Sequence, residues 1–415
     1  MRGEALAEDK APAERRYKVR FPDRESYFAA TALETPGLSV PVANQKRAYL
    51  GITLPRQRVG MMAAEGLLDA QLQRFETYGA RIVEDFRFDL EPTAPPLFGL
   101  DAAPEEAEAD LDDVLSQIAA PAAWTRSRGE DVAIAVVDSG IDGTRPEFPR
   151  AKRFGSWQPA GHLPWTDGEG HGTMCASIAA GTRAAGGAYD GVAPNAKLIA
   201  CKSGLYDTEL TAIYDYLISL LDAHPDLRIV ATNSFGIKTG KPPSPPEDVD
   251  FPDAVAEAVG RGISVFFSAG NYHALAGGAA ADCSPTSIWL HKCRDDVFTV
   301  ATCDLAGRMW DYSSRGPGQH FGQHGMRRKP DATAPTPRNG RVVYGAGIRV
   351  LPTGWGTSGA CPQVAGLAAL LLSANRALSP AQVYDAIRSA GVPLGHGADC
   401  EGSGRIDCGA SMALV

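Results

Sequence analysis

The chain has 415 residues, of which 44% are apolar and 21% charged, the balance of an ordinary globular protein, which excludes wholesale disorder and collagen-like repetition. At about 150 residues per domain the length allows two or three domains. Acidic residues outnumber basic ones, 49 to 40, so no global positive field draws the chain to nucleic acid phosphates or anionic lipid, and neither is expected as a partner.

Residues 1–16 are charged and Ala-rich and read as a flexible tail. They lack the apolar stretch of about 7–15 residues found in a secretory signal, so action in the cytoplasm is expected, with export by another route as the alternative. Residues 17–90 have their own pattern: strands at 17–21 and 47–54, an amphipathic helix over 61–79, and a half-buried strand over 80–90. This suggests a compact α+β domain. Residues 91–113 are rich in Pro, Ala and acid, with too few apolar residues to pack independently, and read as a linker.

From 114 to 415, β-branched runs (VAIAVVD, KLIACKS, RIVATNS, ISVFFSAG, DVFTVATCD) alternate with helical patterns such as TELTAIYDYLISLLDAH. Continuous apolar strands between helices indicate a parallel sheet covered on both faces, hence a doubly wound α/β domain with its site at the carboxyl ends of the strands. The longest apolar stretches, such as 366–372, fall far short of the roughly 18 residues of a membrane span, so no membrane partner is expected.

The eight cysteines contain no CxxC pair, so a structural zinc site is not expected. Cys283 with Cys293, and Cys400 with Cys408, each flank a short polar segment and could close local loops in an oxidising compartment. Cys175 and Cys361 lie in small-residue helices and read as packing thiols. His162, His224, His273, His291, His320, His324 and His396 read as surface or loop residues. Asp190, Asp282 and Asp304 could hold calcium, but read better as turn formers.

Three segments supply an acid, a base and a nucleophile: Asp138 at the end of VAIAVVD, His171 in GHGT, and Ser358 in GTSG. A serine hydroxyl is a poor nucleophile unless an imidazole takes its proton and a carboxylate fixes that imidazole. His171 and Ser358 each open a helix, where free backbone N–H groups can stabilise an oxyanion.

In this order, and with IAVVDSGID, GHGTMCASIAAG, GVAPNAKLIACK, SAGN, YSSRGPG, KPDATAP and GTSGACPQVAGLAALLL in sequence, residues 114–391 resemble the subtilisin-like serine proteases. The resemblance implies a serine endopeptidase acting on protein or peptide substrates through an acyl-enzyme, with no cofactor for the chemistry. It implies Asn271 as the side-chain donor of the oxyanion hole. Ser234, Phe235, Gly236, Ala269 and Gly270 would wall the pocket for the residue whose carbonyl is attacked. Ser203, Gly204 and Leu205 would form the edge that pairs with an extended substrate, with Tyr206 at a further subsite. Structural calcium is compatible with the resemblance but assigned to no residue. Cys175 is similar to the thiol behind the catalytic His in proteinase K-like members, which implies sensitivity to mercurials. Met174, Gly359 and Gln363 stand where the family usually has His, Met and His.

Residues 17–90 have the size of the family's propeptide, which implies a folding chaperone and inhibitor. The closing string RIVEDFRFDL is similar to the propeptide end that enters the cleft, and simple alignment puts the processing junction near Glu91-Pro92; because a proline after the scissile bond is unfavourable for many proteases, a junction elsewhere in the linker and a prodomain that stays attached are the alternatives. Two alternatives stand beside general proteolysis: a dedicated intracellular processing protease for one precursor, and a non-catalytic scaffold whose cleft the N-terminal domain occludes.

Overall fold

The structure, a computed structural model, describes residues 16–23, 25–26, 29–30, 61–65, 69–91, 108–243, 248–319 and 326–415. The elements that position the site are, in chain order, β1 (Arg16–Arg20), β2 (Met61–Glu65), α1 (Asp69–Thr77), β3 (Arg81–Glu84), β4 (Asp89–Leu90), α2 (Leu111–Gln117), β5 (Val132–Asp138), β6 (Arg153–Trp157), α3 (His171–Ala180), β7 (Lys197–Lys202), α4 (Asp207–Ala223), β8 (Arg228–Asn233), β9 (Phe235–Gly236), α5 (Phe251–Gly260), β10 (Ser264–Ser268), β11 (Phe298–Cys303), β12 (Ala332–Pro335), α6 (Gly356–Ala374) and α7 (Pro380–Ser389).

Seven parallel strands form the central sheet in the order β12-β11-β10-β8-β5-β7-β6. β5 is buried at every position, as a strand covered on both faces must be. One face carries α3 and α6 over a core that includes Ile134, Val136, Ile178, Val364 and Leu367. The other carries α4 and α5 over Val137, Ile213, Phe251 and Phe267. α6 is long and apolar enough to cross a bilayer by length and composition, but 89% of its apolar window is buried inside the protein. Its hydropathy is that of a core helix.

The N-terminal sheet has the order β2-β1-β3, antiparallel throughout, and one side packs Val19, Phe21, Ala30 and Phe75. The expected helix over 61–79 is only half present. Met61–Glu65 is a strand, because pairing with β1 overrides the helix propensity of Met, Ala and Glu, and the helix begins at Asp69. The strand expected at 47–54 lies outside the described residues, as do 92–107 of the expected linker. α2 starts inside that linker at Leu111, whose side chain is buried, with Asp110 and Asp113 forming a capping box.

Alternation along β1 turns Arg16, Lys18 and Arg20 to one face, which meets acidic groups at the starts of α4 and α5. Arg16 bonds Asp85 at 2.8 Å and Glu209 at 2.7 Å, Lys18 bonds Asp207 and Asp250, and Arg20 bonds Asp250. Burial works against the charge on Lys18, but Asp207 and Asp250 outweigh it and hold its pKa above the ordinary value.

The cysteines pair differently from the sequence expectation. Cys283 is bonded to Cys400, with Cα atoms 5.1 Å apart, and neither 283–293 nor 400–408 is formed. Cys293 and Cys408 are free and buried, each packed in an apolar cluster, whereas Cys283 lies against Cys400. Cys175 and Cys361 are buried free thiols.

Candidate active site

β5 delivers Asp138 at its carboxyl end, and α3 opens at His171 directly beneath the next turn. The approach is close enough to require Gly172: a Cβ there would lie 2.1 Å from the Gly140 carbonyl oxygen. His171 Nδ1 sits 2.8 Å from Asp138 Oδ1 and 2.9 Å from Oδ2. A carboxylate accepts only, so Nδ1 carries the proton and Nε2 is left as the base. The Ser139 amide and hydroxyl also donate to Asp138 Oδ1, at 2.7 and 3.1 Å, which fixes the carboxylate. His171 is fully buried, which disfavours its protonation, but Asp138 outweighs burial and holds its pKa well above the ordinary histidine value.

Ser358 is on the first turn of α6, and its carbonyl accepts from Cys175 at 3.5 Å and from Ser234 Oγ at 3.3 Å. Its hydroxyl and His171 Nε2 are both buried and have no hydrogen-bond partner among the described residues. Nucleophile–base contacts of this kind often tighten only when substrate binds. Asn271 Oδ1 accepts from the Thr357 amide at 3.0 Å, which turns Nδ2 toward the 356–358 turn, 2.8 Å from where a Gly356 Cβ would stand.

Asp138, His171 and Cys175 are a group of metal-ligand type, with donor atoms within 4.8 Å of one another. Burial followed by Asp138 pushes the Cys175 thiol up, so it is a poor nucleophile. Asp190 pairs with Arg128 at 3.2 Å and Asp304 with Arg308 at 2.7 Å, so both carboxylates have guanidinium partners.

The expected substrate edges are occupied by the chain's own residues. β4 pairs antiparallel with β9, Asp89 opposite Gly236 and Leu90 opposite Phe235. On the other side the Phe88 amide donates to the Leu205 carbonyl at 2.9 Å, Arg87 Nε to the Gly204 carbonyl at 3.0 Å, and Arg87 bridges Tyr206. Ser203 Oγ accepts from the Leu205 amide at 2.8 Å and shapes this edge. Ala269 and Gly270 follow β10, and the Gly270 amide donates to Thr357 Oγ1 at 3.2 Å. Phe88 is buried in edge-to-face contact with Phe235, Phe251 and His291.

The sequence reading missed Lys292, Thr357 and the fit of Glu91. Glu91 Oε1 accepts from Lys292 and Oε2 from Thr357 Oγ1 at 2.8 Å. Lys292 lies in the stretch SIWLHKC, where a lysine within an apolar run was the available signal. His273 lies in a loop as expected but is buried, its Nε2–H donating to the Ala279 carbonyl at 3.1 Å, whereas His291 is buried in a short 3-10 turn, neither at the surface nor in a loop, because it joins the aromatic cluster around Phe88. His320 and His324 lie outside the described residues. The three departures also have local reasons. A Cβ at Gly359 would stand 2.4 Å from Trp355 Cβ, Gln363 Nε2 bonds the carbonyls of Pro335 and Gly359, and Met174 fills the core.

An acid and an imidazole so coupled at the end of a parallel strand, with a serine at the start of a neighbouring helix, are the residue types that nucleophilic acyl transfer needs, carried on a doubly wound sheet. The model of the subtilase family, Peptidase_S8, matches residues 129–399, and the chain belongs to that family of serine peptidases. It is 29% identical over 284 residues to Subtilisin E of Bacillus subtilis (strain 168), covering 68% of this chain and 66% of that protein. It is also 29% identical to the subtilisin of Bacillus pumilus, covering 91% of it, and 27% identical to an intracellular serine protease of Paenibacillus polymyxa, covering 83% of it. The chain thus spans just under two thirds of Subtilisin E. The fold is shared with a crystal structure of MycP1 lacking its N-terminal propeptide, with a TM-score of 0.55 at 22% identity over 72% of this chain and 97% of that one. Subtilases need no cofactor for catalysis.

Proposed function

We propose that this chain is a serine endopeptidase made as a self-occluded precursor. Ser358 Oγ attacks the substrate carbonyl while His171 Nε2 takes its proton. His171 then gives that proton to the leaving amine, and water resolves the acyl-enzyme by the same route. Asp138 holds His171 in its tautomer, and Asn271 with the Ser358 amide receives the oxyanion. Ser234, Phe235, Gly236, Ala269 and Gly270 wall the pocket for the attacked residue, and Ser203, Gly204, Leu205 and Tyr206 flank the extended substrate.

The observation that carries this reading is the His171–Asp138 contact at 2.8 and 2.9 Å. Beside it, Nε2 and the Ser358 hydroxyl are free of hydrogen-bond partners among the described residues. Residues 17–90 are read as the inhibitory and chaperoning domain, 91–113 as the linker and 114–415 as the catalytic domain, supported by the pairing of β4 with β9. Action inside the cell is part of the proposal, supported by likeness to the Paenibacillus polymyxa intracellular protease. Relatives include a calcium-dependent protease of Nostoc sp., but no residue here is proposed to hold calcium.

The test compares the full chain with Ser358→Ala by intact mass and by reaction with a fluorophosphonate probe. Labelling of the wild type alone, with cleavage between 86 and 113, supports the proposal. Labelling without cleavage favours a dedicated processing enzyme. Absence of labelling after the 92–107 segment is cut would leave the occluded scaffold as the account.

A further inference from the structure

Lys292 stands at the floor of the pocket that receives the residue to be attacked. β4 runs antiparallel to β9 with Leu90 opposite Phe235, so the next residue, Glu91, comes level with Ser234, whose hydroxyl touches the Ser358 carbonyl. Glu91 therefore occupies the position whose own carbonyl faces the nucleophile. Its side chain is buried, 1% exposed, and its two oxygens are divided between Lys292 and Thr357.

Lys292 Nζ borders the Gly236 wall of the same pocket, 2.8 Å from where a Cβ on Gly236 would stand, and Tyr272 Oη lies 3.1 Å from that point. The lysine side chain is 3% exposed, and the carboxylate it pairs with is Glu91's, the single ion-pair partner found for it among the described residues. A buried ammonium is costly unless a counter-charge reaches it. In this fold that charge comes from the residue lodged in the cleft, not from the body of the enzyme.

Resting on the peptidase reading above, we propose that Lys292 makes this enzyme select an acidic residue, glutamate foremost, on the acyl side of the bond it cuts. Thr357 Oγ1 serves as a second donor to the same carboxylate. A neutral or basic side chain in this pocket leaves Lys292 desolvated and unpaired, or opposed by a like charge, so the pocket rejects as well as attracts. Glutamine fits the same volume but presents an amide where the ammonium needs an anion. Aspartate, one methylene shorter, falls short of Lys292.

The experiment uses the full-length chain after cleavage of its 92–107 segment, with active sites counted by fluorophosphonate. Fluorogenic peptides Phe-Asp-Leu-X, where X is Glu, Gln, Leu or Lys, are then compared by kcat/KM. The expected preference for Glu over Gln is about 10–100-fold, the span that one hydrogen bond to a charged group supplies. Lys292→Met brings that ratio toward 1, and Lys292→Glu moves the preference to Lys. Labelled wild-type enzyme that cuts the Leu or Lys peptide better than the Glu peptide overturns the proposal without any variant having to fold. An unchanged Glu-to-Gln ratio in Lys292→Met overturns the assignment to Lys292. Failure of the wild type to label removes the peptidase reading itself, a different result from labelling without acidic preference.

Discussion

Lys18 Nζ, from the third residue of β1, bonds Asp207 Oδ2 at 3.1 Å, and both side chains are almost wholly buried. Asp207 in turn accepts from the amides of Asp250 and Phe251, so one carboxylate joins the N-terminal sheet to the starts of α4 and α5. Removing one partner of a buried pair strands the other charge, at a cost of about 3–5 kcal/mol. Lys18→Met is therefore expected to loosen the N-terminal unit from the body, seen as faster amide hydrogen exchange across β1 and β3 in the full chain. Unchanged exchange there would mean that the cleft contacts alone hold the unit.

The Thr357 amide donates to Asn271 Oδ1 at 3.0 Å and so orients the side chain. Asn271→Ala is expected to lower turnover by roughly 10²–10³, the loss known for the corresponding donor in subtilisin, with little change in KM. A loss confined to KM would place Asn271 in substrate binding instead.

Asp138 raises the pKa of His171 despite full burial. The folded value lies above the ordinary one of about 6.5. The charged imidazolium therefore contributes stability that is fully present below about 6.5 and lost as pH rises through the folded value. Activity runs the other way, because only neutral His171 can accept the Ser358 proton. The acid limb of kcat/KM is expected above pH 6.5. In Asp138→Asn it moves to lower pH, with activity reduced by roughly 10⁴. A limb that stays in place would show that another group titrates.

Most of the catalytic body is legible in the sequence because β5, β7, β8, β10 and β11 are short and buried, and helices of clear pattern separate β5 from β7, β7 from β8 and β8 from β10. Asp138, His171, Ser358 and Asn271 are legible because each sits in a short string with few other uses. The floor of the pocket is not, since a lysine in the apolar run SIWLHKC marks an unusual position but does not name its partner, and Lys292 reaches Glu91 across 201 residues. Met61–Glu65 misleads for a related reason: its partner is β1, more than 40 residues earlier, and only that pairing makes it a strand. The bond between Cys283 and Cys400 spans 117 residues, whereas spacing along the chain suggests only local loops.

The strand that fills the cleft belongs to the same chain as the cleft. A covalently joined ligand binds at an effective concentration fixed by its tether, in the millimolar range for short flexible connections, whatever the amount of protein present. In the proposed precursor, diluting the intact protein would thus not relieve its blockade. One break within 92–107 changes the molecularity: the blocking piece becomes a separate solute, and its departure then depends on volume and on competing peptides. The decisive event for such a molecule would be the loss of a connection, with no rearrangement of the catalytic groups required.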